Sequence, residues 1–565
     1  MPPAPALPSR PLLWLLVAAI ALAWFANLDS RRLMHPDEGR YAEIAREMVV
    51  TGDWVTPRLN DLKYFEKPPF QYWMTAAAFR VFGTGDAAAR LWPAVAGLLA
   101  VVAIAGAGFA LEGLALGAFA GLALAGTLGH VGLAQIVTLD SGLAFFLTLG
   151  LAALVVAQRD GVDRSERRSW MWVVWAAMAG ATLSKGLIGL VLPGGALVAY
   201  TLVTRDVAVW RRLHLVSGLA LYAALTAPWF VAVSRANPEF FHFFFIHEHF
   251  ERYLTASHRR TGPWWYFIPL LAVGSLPWLG VLAYGVRRAW REGVPNAIGF
   301  SWQRFVLVWA AFIFLFFSAS GSKLPAYIVP LFAPLALVAA WLFARLDAVT
   351  LTRLALSGAV VTGALAIAVI AGYDSTVPRY ADARQPIETL QAFGPWLKGA
   401  LLLATVGAIA GWLAFRQAER RPTARFWGVA TLALSTLVFV QLVVAGFDAF
   451  STTRSAWAML RAAQTADGSL AANAPFYQVQ MYDQTVPFYL GRPTTLVEFR
   501  DELSLGLDAE PAKGIATTDA WIPVWAGLGQ GYALMPPDRF DALRAAGVPM
   551  RVLARDGRRV LASRQ

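Results

Sequence analysis

Apolar runs of near-bilayer length recur along most of the chain, and they limit the fold before any other feature is considered. A helix needs about 20 apolar residues to cross the ~30 Å hydrocarbon core. Windows close to that length fall near 11–28, 87–110, 114–129, 134–157, 170–184, 186–204, 214–233, 264–286, 303–319, 325–345, 354–372, 396–415 and 426–447. In lipid, every backbone polar group has to be satisfied within the chain, so these runs are expected as helices. Composition agrees: 57% of the 565 residues are hydrophobic and only 15% charged, too little polar surface for a soluble protein of this size. The expected fold class is a mainly α membrane protein with a bundle of about thirteen transmembrane helices.

Loop charges set the orientation. Every second connection is rich in arginine: Arg159/Arg164/Arg167/Arg168, Arg205/Arg211/Arg212, Arg287/Arg288/Arg291, Arg345/Arg353 and Arg416/Arg420/Arg421/Arg425. The positive-inside rule makes these loops cytoplasmic, with the N-terminus inside and the C-terminus outside. The net charge of +12 then reflects cytoplasmic loops and anionic lipid rather than nucleic acid, for which no basic-aromatic module is present. There are no cysteines, which excludes disulfides, a thiolate nucleophile and a thiolate metal site.

After Asp448 the composition becomes that of a soluble domain. Tyr477–Tyr482 reads as a strand, Asp538–Ala546 as a helix, and Arg551–Ala562 as a hairpin turning at Asp556-Gly557. The expected organisation is a transmembrane domain over 1–447, whose first outer loop is 29–86 and carries juxtamembrane helices, followed by a small α+β domain over 448–565 outside the membrane.

The candidate chemistry lies in the outer loops. His35-Pro36-Asp37-Glu38-Gly39-Arg40-Tyr41 follows the first span, and Glu43, Arg46 and Glu47 continue it at helical spacing. Tyr41–Val50 is therefore expected as an amphipathic helix lying on the membrane. Carboxylates at its N-terminus are held ionised by the helix dipole, which makes Asp37 and Glu38 candidates for a base or a metal ligand, and Asp37 also for an orienting group. In Tyr64-Phe65-Glu66-Lys67-Pro68-Pro69-Phe70 two prolines stiffen the backbone behind Glu66 and Lys67. Lys67 either binds a lipid phosphate or snorkels to the interface.

Ile246-His247-Glu248-His249-Phe250-Glu251-Arg252-Tyr253 lacks the spacing of a zinc hydrolase. His247 and Glu66 are two candidate ligands for a divalent metal, and Arg252 is a candidate phosphate contact. Asp140 and Lys185 fall near the outer ends of two spans, where they either serve the site or pair with each other. Lys323 and Tyr327 lie on a further outer loop, as contacts to phosphate or sugar, or as interfacial anchors. Arg40 and Tyr64 complete the candidate set.

The segments His35–Met48, Gly52–Pro57, Tyr64–Trp73, Thr138-Leu139-Asp140, Leu183-Ser184-Lys185-Gly186, Pro228–Phe230, His247–Tyr253 and Ser322–Pro330 together resemble the lipid A aminoarabinose transferases, protein O-mannosyltransferase-like glycosyltransferases of the GT-C type. The resemblance covers about residues 11–450. It implies a lipid-linked donor, undecaprenyl phosphate carrying 4-amino-4-deoxy-L-arabinose. It also implies a lipid A phosphate as acceptor, at the periplasmic face of the bacterial inner membrane. The family's catalytic carboxylate falls on Asp37 and its carrier-phosphate lysine on Lys67. The large lumenal insertion of the eukaryotic mannosyltransferases has no room here, which favours the lipid-modifying branch.

No cofactor beyond the donor and the possible metal is expected, and the chain is expected to act as a monomer among membrane lipids. The alternatives are a related enzyme with another sugar or a protein acceptor, and a lipid transporter or flippase. Transport is disfavoured because the charged clusters lie in loops and not in interrupted helices at the midplane.

Overall fold

In the computed structural model, residues 6–251, 262–467, 470, 471 and 473–564 are described. Every apolar window carries a helix. Among the described residues eight helices are long and apolar enough to cross a membrane, or nine if Phe267–Gly274 and Leu279–Glu292, bent by 103°, form one span. The remaining windows fall on three shorter apolar helices, Arg10–Phe25, Leu114–Ala125 and Ile188–Thr204, and on Arg164–Lys185.

The N-terminal helices are α1 (Arg10–Phe25), α2 (Asp37–Thr51), α3 (Phe70–Phe82), α4 (Asp86–Glu112), α5 (Leu114–Ala125), α6 (Leu128–Leu133), α7 (Leu139–Ala157), α8 (Arg164–Lys185), α9 (Ile188–Thr204) and α10 (Leu215–Ala236). Small residues let some of them touch along their backbones. A Cβ added at Gly117 of α5 would stand 2.8 Å from the Ala105 carbonyl of α4.

Between α2 and α3 a short hairpin pairs β1 (Arg58–Leu59) with β2 (Leu62–Lys63). The C-terminal sheet contains β3 (Phe476–Val479), β4 (Thr495–Val497), β5 (Gly514–Ile515), β6 (Tyr532–Met535), β7 (Arg551–Arg555) and β8 (Val560–Ser563), in the order β5-β4-β3-β6-β8-β7. The first four neighbours run parallel, and β8 and β7 add antiparallel. The hairpin expected at Asp556-Gly557 is β7–β8. Its turn is closed by Asp556 Oδ1, which accepts from the backbone N–H groups of Arg558 and Arg559. The helix expected near Asp538 spans Pro537–Ala545.

α2 corrects one expectation. It begins with Asp37 and Glu38 in its first turn and ends at Gly52, whose φ of +74° is the left-handed closing conformation that glycine adopts without strain. It does not lie on the membrane with its charged face in water, because all residues from Glu38 to Met48 are buried. One side packs on α3, and the C-terminal domain covers the other. A Cβ at Gly39 would stand 2.7 Å from the Thr485 side chain and 2.8 Å from its backbone nitrogen. A helix with this many charges can be buried on all sides only if each charge finds a partner.

Candidate active site

Those partners divide the two adjacent carboxylates sharply. Glu38 is 4% exposed, and both its oxygens are engaged. It accepts from Arg31 Nη1 at 2.6 Å, Arg90 Nε at 3.0 Å, and the backbone N–H groups of Met34 and Val137. Burial alone would raise its carboxyl, but the guanidiniums of Arg31 and then Arg90 override that and hold it well below the usual carboxylate range. This geometry differs from that of a reacting carboxylate. Glu38 ties the first outer loop to α4 and to the segment leading into α7, and so towards Asp140.

The side chain of Asp37, by contrast, is 47% exposed. Its Oδ1 is 2.9 Å from Arg40 Nη1, and Arg40 Nη2 is 2.6 Å from Glu502 Oε2. Glu502 comes from the short helix Asp501–Leu503 of the C-terminal domain and also accepts from Gln484 Nε2 at 2.6 Å. Burial raises its carboxyl above the usual range, opposed by Arg40.

Beside this chain of charges stand buried tyrosines. Burial and then Glu66 push the Tyr64 and Tyr72 phenols up, while burial and then Asp37 do the same for Tyr41. All three are held as neutral phenols. Tyr72 also feels Asp37 and Glu502, so Asp37, Glu66 and Glu502 converge on one ring. The hydroxyls of Tyr64 and Tyr72 and the Nε of Arg40 are buried without hydrogen-bond partners. Buried donors of this kind are available to an acceptor, whether an ordered water or a ligand oxygen.

Lys67 Nζ donates to the Glu66 carbonyl at 2.6 Å. Its loop is pinned to α10 and the segment that follows it, with the Trp229 indole N–H of α10 donating to the Val55 carbonyl and Phe65 edge-on to Phe240 at 5.3 Å. Asp140 and Lys185 form an ion pair, and Lys185 Nζ lies 4.9 Å from the Tyr327 ring. The structure thus brings together three candidates from three separate segments. Lys323 behaves differently: it turns back on its own loop, donating to the carbonyls of Ser318 at 2.8 Å and Ser320 at 2.9 Å. Arg252 lies outside the described residues, as does the side chain of His247. Among the described residues no three histidine or acidic side chains gather as a metal site.

Glu502 is the residue that sequence reasoning passed over. Nothing local marks it; only docking of the C-terminal domain brings it to Arg40. That docking is extensive. Asn60 exchanges hydrogen bonds with the Thr494 backbone at 2.7 and 2.8 Å, Arg58 pairs with Glu510 at 3.0 Å, and Tyr489 donates to Asp86 at 2.6 Å.

Residues 12–244 match the family described as dolichyl-phosphate-mannose-protein mannosyltransferase, and residues 462–564 match the aminoarabinose transferase C-terminal domain. The undecaprenyl phosphate-alpha-4-amino-4-deoxy-L-arabinose arabinosyl transferase of Erwinia tasmaniensis is 33% identical over 323 residues, 57% of each chain. Transferase 1 of that name from Sodalis glossinidius is 33% identical over 439 residues, 75% of each chain. The aligned stretch therefore takes in just over half of the Erwinia relative and three quarters of the Sodalis one. The crystal structure of ArnT from Cupriavidus metallidurans bound to undecaprenyl phosphate superposes with a TM-score of 0.91 at 38% identity, covering 99% of both chains. An oligosaccharyltransferase of Archaeoglobus fulgidus shares the fold at a TM-score of 0.50 and 11% identity, over 85% of this chain and 63% of that one.

The family matches and the fold define a multi-pass membrane glycosyltransferase of the GT-C class that uses a lipid-linked sugar. The matching C-terminal domain, which supplies Glu502, narrows the class. The chain belongs to the undecaprenyl phosphate-aminoarabinose arabinosyltransferase family.

Proposed function

We propose that this protein transfers 4-amino-4-deoxy-L-arabinose from undecaprenyl phosphate to a phosphate of lipid A at the periplasmic face of the inner membrane. Its N-terminus is then cytoplasmic and its C-terminal domain periplasmic. The observation that carries the reading is the Asp37–Arg40–Glu502 chain beside the unpartnered hydroxyls of Tyr64 and Tyr72.

In the reaction the bond between the anomeric carbon and the carrier phosphate oxygen breaks, and a lipid A phosphate oxygen forms the new one. The departing lipid phosphate is already a good leaving group, and the attacking oxygen is already anionic. The site therefore has to align the reactants and balance charge, with no base required. Lys67 and Arg252 hold the carrier phosphate, joined by the Tyr64 hydroxyl. Asp37, with Glu502 behind Arg40, faces the cationic amino group of the sugar and orients it. Lys185, set by Asp140 and Tyr327, adds positive charge for a second phosphate. Glu38 acts as a positioning residue. The product carries an added ammonium, which lowers the negative charge of the surface and weakens binding of polymyxin and other cationic peptides.

The test is mass spectrometry of lipid A from a strain lacking its own transferase and expressing this chain. Aminoarabinose on lipid A with the native chain, and its loss with Asp37→Asn, is the expected result. Unmodified lipid A in cells that make the donor and the folded protein would overturn the assignment.

A further inference from the structure

At the membrane face opposite the site, the structure contains a second amphiphilic feature. α8 is 22 residues long, ~33 Å at the helical rise. Lys185 at its C-terminal end meets Asp140, so Arg164 marks the far face, cytoplasmic in the proposed orientation. From that face to the middle of the bundle, α7–α10 and the helix Trp302–Ala319 line a cavity of about 140 Å³ with Leu154, Met171, Trp175, Leu213 and Trp309 among its walls, apolar but for the unpartnered indole N–H of Trp309. One N–H is fewer than the two to four polar partners a buried water needs, so a void of this kind accepts hydrocarbon.

Its rim is basic. Arg164 and Arg168 share a face of α8 with Met171 and Trp175, at successive helical neighbour spacings. Across from them His214 sits between Leu213 and Leu215, both of which line the cavity. Burial first, then the charges of Arg164, Arg168 and Arg167, hold its imidazole below the usual range. Nearby acids are engaged elsewhere: Asp163 caps α8 through the N–H groups of Ser165 and Glu166, Glu166 pairs with Arg159, and Asp206 pairs with Arg212. Asp163 keeps its charge, but it stands against Arg164, Arg167 and Arg168, so the rim is net positive.

We propose that this cavity takes the acyl-chain end of an anionic phospholipid from the leaflet opposite the active site, with the lipid phosphate held by Arg164 and Arg168. An anionic headgroup gains from each guanidinium at the surface, and the chain fills a void that is otherwise empty. The donor's polyprenyl tail is the other hydrocarbon available. Its phosphate belongs at Lys67 on the far side, so it would leave this basic rim without a partner.

Native mass spectrometry of the full-length protein in detergent, titrated with phosphatidylglycerol or phosphatidylcholine, tests the proposal. Preferential retention of phosphatidylglycerol, by about tenfold, is expected. The double variant Arg164→Glu/Arg168→Glu removes that preference. Gly194→Leu lowers retention by itself, since a Cβ at this cavity-lining glycine meets nothing within 4 Å and the larger side chain enters the void. Equal retention of both lipids, unchanged retention in Gly194→Leu, or displacement of phosphatidylglycerol by undecaprenyl phosphate would each overturn it. The surface charge variant keeps the test decisive if Gly194→Leu does not fold.

Discussion

Glu502 Oε2 sits 2.6 Å from Arg40 Nη2, so a residue of the C-terminal domain is wired directly to the first outer loop. Arg40 reaches Asp37 with its other terminal nitrogen. The position of Asp37 therefore depends on the C-terminal domain as well as on its own helix.

Glu502→Ala should leave Arg40 with a single carboxylate partner and let it pull Asp37 away from its place. Small displacements of a reacting constellation cost up to about 100-fold in rate. Transfer activity in reconstituted membranes is expected to fall by tenfold or more. An unchanged rate would show that Arg40 holds Asp37 without help.

Asp37 and Glu38 should separate cleanly in a paired experiment. Removing one partner of a buried ion cluster typically costs about 3–5 kcal/mol, so Glu38→Ala, which strands Arg31 and Arg90, is expected to lower the thermal midpoint sharply. Asp37→Asn, at a half-exposed side chain, should leave the midpoint close to native while transfer drops by about 100-fold. The reverse pattern would exchange the two roles.

Gly39→Val places a branched side chain against the Gln484–Thr485 backbone, which has no room to yield. Overpacking of this kind costs about 1–3 kcal/mol. Here it should appear as faster proteolysis between the membrane domain and the C-terminal domain, with activity reduced in parallel.

His35 makes the docked arrangement sensitive to acid. Burial lowers its pKa from 6.5 to about 4, with Arg558, Arg559 and Arg454 adding to the effect and Asp483 opposing it. A histidine depressed in the folded state binds fewer protons than in the unfolded chain, so its stabilising share is complete above pH 6.5. That share declines as the pH falls towards 4, by about 3 kcal/mol at most. Thermal midpoints recorded from pH 7.5 down to 5 should therefore decrease, and His35→Gln should flatten the decrease.

Much of this was legible along the chain. The apolar windows became helices, and the turn at Asp556-Gly557 became the β7–β8 hairpin. The Asp37 helix, the pairing of Asp140 with Lys185 and the arrival of Tyr327 beside them all involve residues singled out by type and place. Lys323 had the same outward credentials, yet its ammonium is taken up by its own loop. Loop carbonyls leave no mark in a side-chain sequence.

Hydropathy and charge alone determined the membrane class, the succession of helices and the stretches where polar chemistry gathers, because an unpaired backbone group in lipid is costly wherever it occurs in the chain. Tertiary structure alone decided which of two adjacent carboxylates is locked away and which stays open, and it brought in Glu502. Burying an ion depends on which partners arrive in space. Arg90 and the C-terminal domain come to α2 from separate parts of the chain, and Arg31 turns back onto it from the segment just before.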